Sequence, residues 1–268
     1  MPESDSLAET AAFLWPAVAL ALGFIVGSFA NVCIHRLPLG ESIVSPRSRC
    51  PSCRAPIAAL DNVPVLSFLV LGGRCRHCRV RISWRYPAVE AANGLLYLAV
   101  ALRDGLSPQA LVDMVLITTL LVLSLIDLDH LILPNVITLP GIVFGFAASF
   151  LPGSPVDPLD SAKGAVGGYL AFAAVAWAYE RVRHQEGLGQ GDWKLAAMLG
   201  AFLGWKKLLA TAFLASLAGS VIGGALILLG RRDASQKIPL GTYLGVAGIL
   251  CLFWGSDLID WYRMFLHR

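Results

Sequence analysis

Long apolar runs separated by short polar segments make up most of the chain. A helix that crosses a bilayer needs roughly 17–25 apolar residues, and several runs reach this length while others need a few flanking residues. The pattern predicts an all-α membrane protein, a polytopic bundle of about eight transmembrane helices. The run at 195–205 is short, so it is either a half-helix or part of the next helix. The runs cover residues 11–34, 87–102, 108–126, 136–151, 164–179, 195–205, 208–230 and 239–255.

The composition excludes a soluble globular protein. Hydrophobic residues make up 56% of the chain and charged residues 15%, whereas soluble domains have about 45–50% apolar and about 25% charged residues. A soluble core of this size has no room for so much apolar surface. The bilayer is therefore the expected partner of most of the chain.

Positive charge is concentrated between the first two apolar runs, at residues 35–86. Segments rich in Lys and Arg stay in the cytoplasm, so this segment is predicted to be a cytoplasmic insert and the acidic N-terminus to be periplasmic. Alternation then places Arg231, Arg232 and Lys237 inside as well. Orientation accounts for the net charge of +3, and nothing calls for a nucleic-acid partner. The insert carries Arg36, Arg47, Arg49, Arg54, Arg74, Arg76, Arg79, Arg81 and Arg85 against Glu41 and Asp61.

These patterns divide the chain into three segments. Residues 1–34 form an N-terminal tail and the first transmembrane helix, and residues 35–86 form the cytoplasmic insert. Residues 87–268 form the main helical bundle.

Four cysteines in the insert form two C-x-x-C pairs. Two such pairs separated by a loop suit tetrahedral zinc, whose structural sites have four protein ligands and no open position. Two disulfides or four unrelated thiols are the alternatives, and a reducing cytoplasm disfavours disulfides. The sequence predicts a structural zinc site that folds the insert, with Cys50, Cys53, Cys75 and Cys78 as ligands.

Two acidic positions at the edges of apolar runs are candidates for catalysis. LVLSLIDLDHLILPN places Asp127 and Asp129 at the end of a helix, and EGLGQGDWK places Asp192 just before another. Alternation puts both positions at the cytoplasmic face. Gly189 and Gly191 let the backbone before Asp192 approach a substrate closely, and Lys194 is a candidate partner for its carboxylate.

Two carboxyl groups that share a proton can hydrolyse a peptide bond, one as the base and the other as the acid. The structural alternative is that each aspartate caps a helix or pairs with an arginine. Helix dipoles disfavour negative charge at a helix C-terminus and favour it at an N-terminus. On that ground Asp192 is predicted to be the base and Asp127 the protonated partner.

The chain resembles the type IV prepilin peptidases, GxGD-type aspartyl proteases. The resemblance rests on GSFANVCIHRLP, the C-x-x-C pairs around DNVPVLSFLVLGGRCR, ISWRYPAVE, LIDLDHLILPNVITLP and EGLGQGDWKLAAMLGAFLGW, in this order. It implies that Asp127 and Asp192 are catalytic, with Asp129 as second choice. The family often has Asp where this chain has Asn135, which should affect helix capping more than chemistry.

The resemblance also implies what the protein does. It implies cleavage of prepilin and pseudopilin leaders after a glycine at the cytoplasmic face of the inner membrane. It further implies N-methylation of the new terminus with S-adenosylmethionine by the region around the insert. The sequence leaves the oligomeric state open. Candidate methyltransferase residues are Asn31, Arg36, Asp61, Asn62, Arg85 and Glu90.

Two other functions fit parts of the pattern. The GxGD motif also occurs in presenilin-like intramembrane proteases, but the cysteine insert and the D-x-x-x-x-x-x-P segment argue against that class. A non-enzymatic transporter or assembly factor could use the same aspartates to conduct protons.

Overall fold

A computed structural model describes residues 2–184, 187–230 and 238–266. Over these residues the regular structure is helical apart from two isolated β-bridges, which confirms the predicted all-helical class. Short 3₁₀ helices occur at Leu37–Leu39 and Ala59–Asn62. The α-helices are α1 (Pro2–Arg36), α2 (Leu66–Val70), α3 (Arg85–Asp104), α4 (Pro108–His130), α5 (Asn135–Ala148), α6 (Pro158–Arg183), α7 (Gln190–Leu228) and α8 (Leu240–Leu266).

The eight predicted apolar runs all correspond to helical segments in the described residues. The runs at 195–205 and 208–230 both fall within α7, which consists of two helices that meet at Gly204. Gly204 has φ 74° and ψ 168°, a non-helical conformation, and the chain reverses there, because Leu199 faces Gly248 further along α8 whereas Gly219 faces Tyr243 near its start. Within the described ranges, four helices are long and apolar enough to cross a membrane: α1, α4, α7 and α8. The cations at 231, 232 and 237 lie outside the described residues.

The chain folds as two compact units, Met1–Thr118 and Thr119–Arg268. In the first unit, α1 packs closely against α3. A Cβ atom placed on Gly23 would lie 2.7 Å from the Gly94 Cα, and one on Gly27 would lie 2.8 Å from the Glu90 Cα. Small residues allow this backbone approach in membrane helices. The cysteine insert belongs to the same unit and joins these two helices.

A buried polar network links three helices of the first unit. The Asn93 amide donates to the Gly23 carbonyl at 2.8 Å, and Thr118 Oγ1 donates to Asn93 Oδ1 at 2.8 Å. The Tyr97 hydroxyl lies 2.9 Å from Thr118 Oγ1. Because an unpaired polar group is costly in an apolar setting, this network stabilises one arrangement of α1, α3 and α4.

The first half of α7 forms the core of the second unit. Residues 195–201 are buried on every side of the helix. Gly200 meets Gly164 of α6 backbone to backbone, in contact too close for a Cβ atom on either residue. The Ser161 hydroxyl donates to the Ala201 carbonyl at 2.7 Å. This packing fixes the start of α7, where Asp192 lies.

Candidate active site and metal centre

Asp127 lies in the last turns of α4 and is only 5% exposed. Asp129 follows two residues later on the same helix and is exposed. Residues two apart in a helix point to nearly opposite faces. The helix therefore turns Asp127 into the unit and Asp129 out of it.

The start of α8 binds the Asp127 carboxyl group. The Thr242 N–H donates to Asp127 Oδ2 at 2.8 Å, and Thr242 Oγ1 lies 3.2 Å from the same oxygen. Thr242 Oγ1 also donates to the Ser124 carbonyl, one turn earlier on α4, at 2.9 Å. The N–H groups in the first turn of a helix have no partner within it, and Asp127 accepts one of them.

Asp192 lies at the third position of α7 and closes the GQGD loop. The Gly189 N–H donates to Asp192 Oδ2 at 3.1 Å, and the Asp192 N–H donates to the Gly189 carbonyl at 3.0 Å. The bond from Gly189 to the carboxylate is the half of a capping box that an N3 side chain makes, and glycine has no side chain to supply the other half. The loop glycines therefore hold the Asp192 carboxyl group at a helix N-terminus.

Leu133, in the segment between α4 and α5, lies against the glycines next to the two acidic sites. A Cβ atom on Gly191 would lie 2.9 Å from the Leu133 Cβ, and one on Gly241 would lie 3.0 Å from Leu133 Cδ1 and from Asp127 Oδ2. Asp127 and Asp192 are close enough for their charges to interact. The structure thus brings together the two carboxyl groups that the motifs singled out.

The sequence predicted opposite helix-dipole environments for the two aspartates, but the structure gives them similar ones. Asp127 is at the C-terminal end of α4, as predicted, but its carboxyl group lies at the N-terminus of α8. Asp192 lies at the N-terminus of α7. Because each carboxyl group accepts a backbone N–H at a helix N-terminus, helix dipoles no longer assign the base to Asp192 and the acid to Asp127.

Lys194 connects α7 to α5. Its ammonium group donates to Asn135 Oδ1 at 2.8 Å. Pro134 occupies the N-cap position of α5 and makes no side-chain cap. The Asn135 side chain therefore anchors the helix that carries Asp192 instead of capping α5.

Two buried polar atoms next to the aspartates have no hydrogen-bond partner within the described residues. They are Ser124 Oγ, three residues before Asp127, and Trp193 Nε1, adjacent to Asp192. The Trp193 ring packs edge-on against Tyr169, with centroids 5.9 Å apart. Buried donors without partners are costly, and Ser124 Oγ faces Gly245 of α8, where a Cβ atom would not fit.

The four insert cysteines converge as predicted. Their sulfur atoms all lie within 4.8 Å of one another, and Cys50 Sγ is 3.8 Å from Cys78 Sγ. Tetrahedral zinc with Zn–S bonds of about 2.3 Å requires sulfurs about 3.8 Å apart. The donor set and its spacing therefore fit one four-coordinate zinc ion.

The two C-x-x-C turns have the same backbone structure. The Cys50 N–H donates to the Ala55 carbonyl and the Cys75 N–H donates to the Val80 carbonyl, each at 2.9 Å. The Cys53 N–H lowers the pKa of the Cys50 thiol to about 7, and the Cys78 N–H likewise lowers the pKa of the Cys75 thiol. Because the thiolate is the form that binds metal, this repeated turn favours zinc binding.

Most of the candidate methyltransferase residues make contacts that organise the first unit. The Asn31 amide donates to the Tyr86 carbonyl at 3.1 Å, and Arg36 donates to the carbonyls of Ser42 and Pro46 at 2.8 and 2.7 Å. Asn62 and Arg85 are exposed.

Asp61 joins the segment between the two cysteine pairs to the second pair. The Arg76 guanidinium donates to both of its carboxylate oxygens, with Nε 2.8 Å from Oδ2. Hydrogen bonds from Arg76 lower the pKa of the Asp61 carboxyl group. A bidentate pair of this kind fixes the orientation of both side chains.

Glu90 is the exception among these candidates because it is a buried carboxylate, 9% exposed. Its Oε2 accepts the Val65 N–H at 2.8 Å. Val65 has φ 60° and ψ −51°, and the Leu66 N–H bonds back to the Pro64 carbonyl at 2.6 Å. This is a γ-turn of the rare, strained kind, and strain of this kind persists where the surrounding structure enforces it.

The motifs did not identify Gly241, Thr242 or Leu133. IPLGT before an apolar run resembles an ordinary helix start, and Leu133 resembles any other apolar residue. The contact between Thr242 and Asp127 joins residues more than a hundred positions apart in the chain. Local spacing therefore gave no signal for them.

Two family models match the chain. A model described as the bacterial peptidase A24 N-terminal domain matches residues 21–103, and one described as the type IV leader peptidase family matches residues 114–224. No solved structure matches the chain.

Similar proteins carry the name prepilin leader peptidase/N-methyltransferase. The one from Aeromonas hydrophila is 39% identical over 96% of both chains, and the one from Pseudomonas aeruginosa is 39% identical over 92% of both. The one from Myxococcus xanthus is 45% identical over 85% of this chain and 69% of its own. The chain therefore belongs to the type IV leader peptidase family.

Proposed function

We propose that the protein removes the leader of type IV prepilins and pseudopilins and then N-methylates the new terminus. The observation that carries the peptidase half is the convergence of Asp127 and Asp192 in the second unit. Family membership and the names of the relatives support both halves. Cleavage after a glycine of the leader is part of this proposal.

The two aspartates would act as a general acid and a general base. The ionised carboxylate takes a proton from water as the water oxygen attacks the scissile carbonyl carbon, and the protonated carboxyl group gives its proton to the carbonyl oxygen. The tetrahedral intermediate then breaks at the C–N bond. The carboxyl group that took a proton from water gives it to the leaving amine, and a hydroxyl of the intermediate returns its proton to the other carboxylate, which restores the starting pair. This chemistry needs neither a metal nor a covalent intermediate.

We place the reaction at the cytoplasmic face of the bacterial inner membrane. The arginine-rich insert at 35–86 supports this orientation by the distribution of positive charge. With the insert inside, alternation puts the ends of the helices that carry Asp127 and Asp192 on the same side. The apolar segment of a precursor would remain in lipid while its basic leader reaches the aspartates.

Methyl transfer is assigned to the first unit, with structural zinc on the four cysteines. S-adenosylmethionine would supply the methyl group. Glu90 holds the strained turn at Val65 through a hydrogen bond, which makes this turn the best-defined candidate for a functional feature in the unit. Among the other candidates, Asp61 lies shortly before this turn in the chain and pairs with Arg76 after it.

Mass spectrometry of a processed prepilin tests both activities at once. Purified enzyme, a prepilin and S-adenosylmethionine should give a mature N-terminus that is 14 Da heavier than the bare product, the mass of one added methylene. A new terminus without the added methyl group would contradict the proposed methyltransferase activity. An uncleaved prepilin, or cleavage inside the apolar segment, would contradict the peptidase assignment.

Asp129 provides a matched control for the catalytic assignment because it is exposed on the same turn as Asp127. Asp127→Asn should abolish leader cleavage, while Asp129→Asn should leave the rate within about twofold of the wild type, as for most surface changes. The reverse result would transfer the catalytic role to Asp129.

Glu90 can be tested by its effect on the ratio of the two activities. Glu90→Leu removes the acceptor of the Val65 N–H and should lower methylation about tenfold, the equivalent of about 1.4 kcal/mol, with a smaller effect on cleavage. Glu90→Gln keeps an oxygen acceptor and should lower methylation less. Equal loss of both activities in the two variants would show a general folding role.

A further inference from the structure

We propose that the first turn of α8, at Gly241 and Thr242, is a positioning element of the peptidase site that fixes the orientation of the Asp127 carboxyl group. The inference rests on the proposed function because it assumes that Asp127 takes part in cleavage. It adds two residues that lie in a helix outside the aspartate motifs.

Gly241 sets how closely α8 approaches Asp127. A Cβ atom at this position would lie 3.0 Å from Asp127 Cγ, from Asp127 Oδ2 and from Leu133 Cδ1. Atoms that close must give way by a few tenths of an ångström. Because the carboxyl group and Leu133 occupy the same side of Gly241, a methyl group there would push the carboxyl group off its position.

Thr242 determines which carboxyl oxygen is held. Its N–H lies 2.8 Å from Asp127 Oδ2, and its hydroxyl oxygen lies 3.2 Å from the same atom and 2.9 Å from the Ser124 carbonyl oxygen. The N–H can only donate, so it keeps Oδ2 in the role of acceptor. Oδ1 is then the oxygen at which the proton of the aspartate pair is exchanged.

The hydroxyl of Thr242 suits both protonation states of the pair. A hydroxyl group has one donor hydrogen and two acceptor lone pairs. It can donate to an ionised Asp127, or donate to the Ser124 carbonyl while Asp127 is protonated. The first turn of α8 therefore holds the carboxyl group without fixing its charge.

The test compares kcat and KM for leader cleavage in matched variants. Gly241→Ala should lower kcat about 100-fold with KM within about twofold, since small misplacements of a reacting group reduce rates on this scale. Gly224→Ala is the control, because a Cβ atom on Gly224 meets nothing within 4 Å. If Gly241→Ala keeps the kcat of this control, the proposal is overturned.

If Gly241→Ala fails to fold, a second pair of variants tests the positioning role through Thr242. Thr242→Val removes the hydroxyl at constant shape and should lower kcat about tenfold, and Thr242→Ser should restore it to within about threefold of the wild type. Thr211→Val is the control, since Thr211 is a buried threonine whose hydroxyl bonds to its own helix at the Lys207 carbonyl. A Thr242→Ser variant as slow as Thr242→Val would overturn the role of the hydroxyl.

Asp127→Asn separates failure of this inference from failure of the proposed function. If Asp127→Asn still cleaves prepilin, Asp127 is not catalytic, and the positioning role of Gly241 and Thr242 is wrong as well. If Asp127→Asn is inactive while Gly241→Ala and Thr242→Val are both normal, the positioning role alone is wrong.

Discussion

Two arginines of the insert have unusual backbone conformations at equivalent positions. Arg54 and Arg79 follow the second cysteine of each pair and have positive φ values of 57° and 60°. An L residue with a side chain rarely adopts this region, whereas glycine adopts it without strain. The two C-x-x-C turns therefore carry the same local strain at the same position.

Replacing either arginine with glycine should stabilise the insert. Arg54→Gly and Arg79→Gly should each raise the free energy of unfolding by up to about 1 kcal/mol, which thermal unfolding of the zinc-loaded protein can measure. Arg81→Gly is the control, since Arg81 lies in a β-bridge with Arg74 and glycine there should be neutral or destabilising. A loss of stability in both Arg54→Gly and Arg79→Gly would show that these side chains make contacts that outweigh the strain.

At the scale of elements, the sequence predicted helices well and their ends less well. Apolar runs located α1, α4 and α8 because length and hydrophobicity suffice to define a membrane helix. They left open whether the runs at 195–205 and 208–230 form one helix, and Gly204 separates them into two, since a single glycine in the sequence neither breaks nor guarantees a helix. The approach of Gly164 to Gly200 was likewise not predicted, because it depends on which helix faces share a contact.

The contact between α6 and α7 gives a prediction at this scale. Gly164→Ala places a methyl group against the Gly200 backbone and should lower the free energy of unfolding by about 1–3 kcal/mol, as overpacking does. Gly167→Ala lies one turn away on α6, where a Cβ atom meets nothing within 4 Å, and should not destabilise. Thermal unfolding in detergent compares the two, and equal melting temperatures would contradict the packing described here.

At the scale of the whole molecule, the sequence predicted residues that the structure brings together at both candidate sites. Two C-x-x-C pairs in one loop were enough to predict the four-cysteine cluster, because each pair is a local unit that needs only to meet the other. The aspartate pair needed the family resemblance as well, since spacing alone cannot tell Asp127 from Asp129. The roles of Gly241 and Thr242 remained hidden because they follow from how α8 returns to α4.

The four-cysteine cluster leads us to predict one zinc ion per chain. Purified protein should contain about one equivalent of zinc by elemental analysis, and Cys75→Ser should lose most of it because a structural site depends on all four ligands. Cys251→Ser is the control, a buried cysteine of α8 outside the cluster. Zinc retained in full by Cys75→Ser would show that the four cysteines do not form the site.

The most direct test of the central claim is the leader-cleavage rate of Asp127→Asn, Asp192→Asn and the double variant, measured on folded protein of equal zinc content. Two groups that act as one catalytic unit give strongly non-additive losses. Each single variant should lose at least about 1000-fold in rate, and the double variant should lose no more. A single variant within tenfold of the wild type, or losses that multiply in the double variant, would contradict a shared aspartate site.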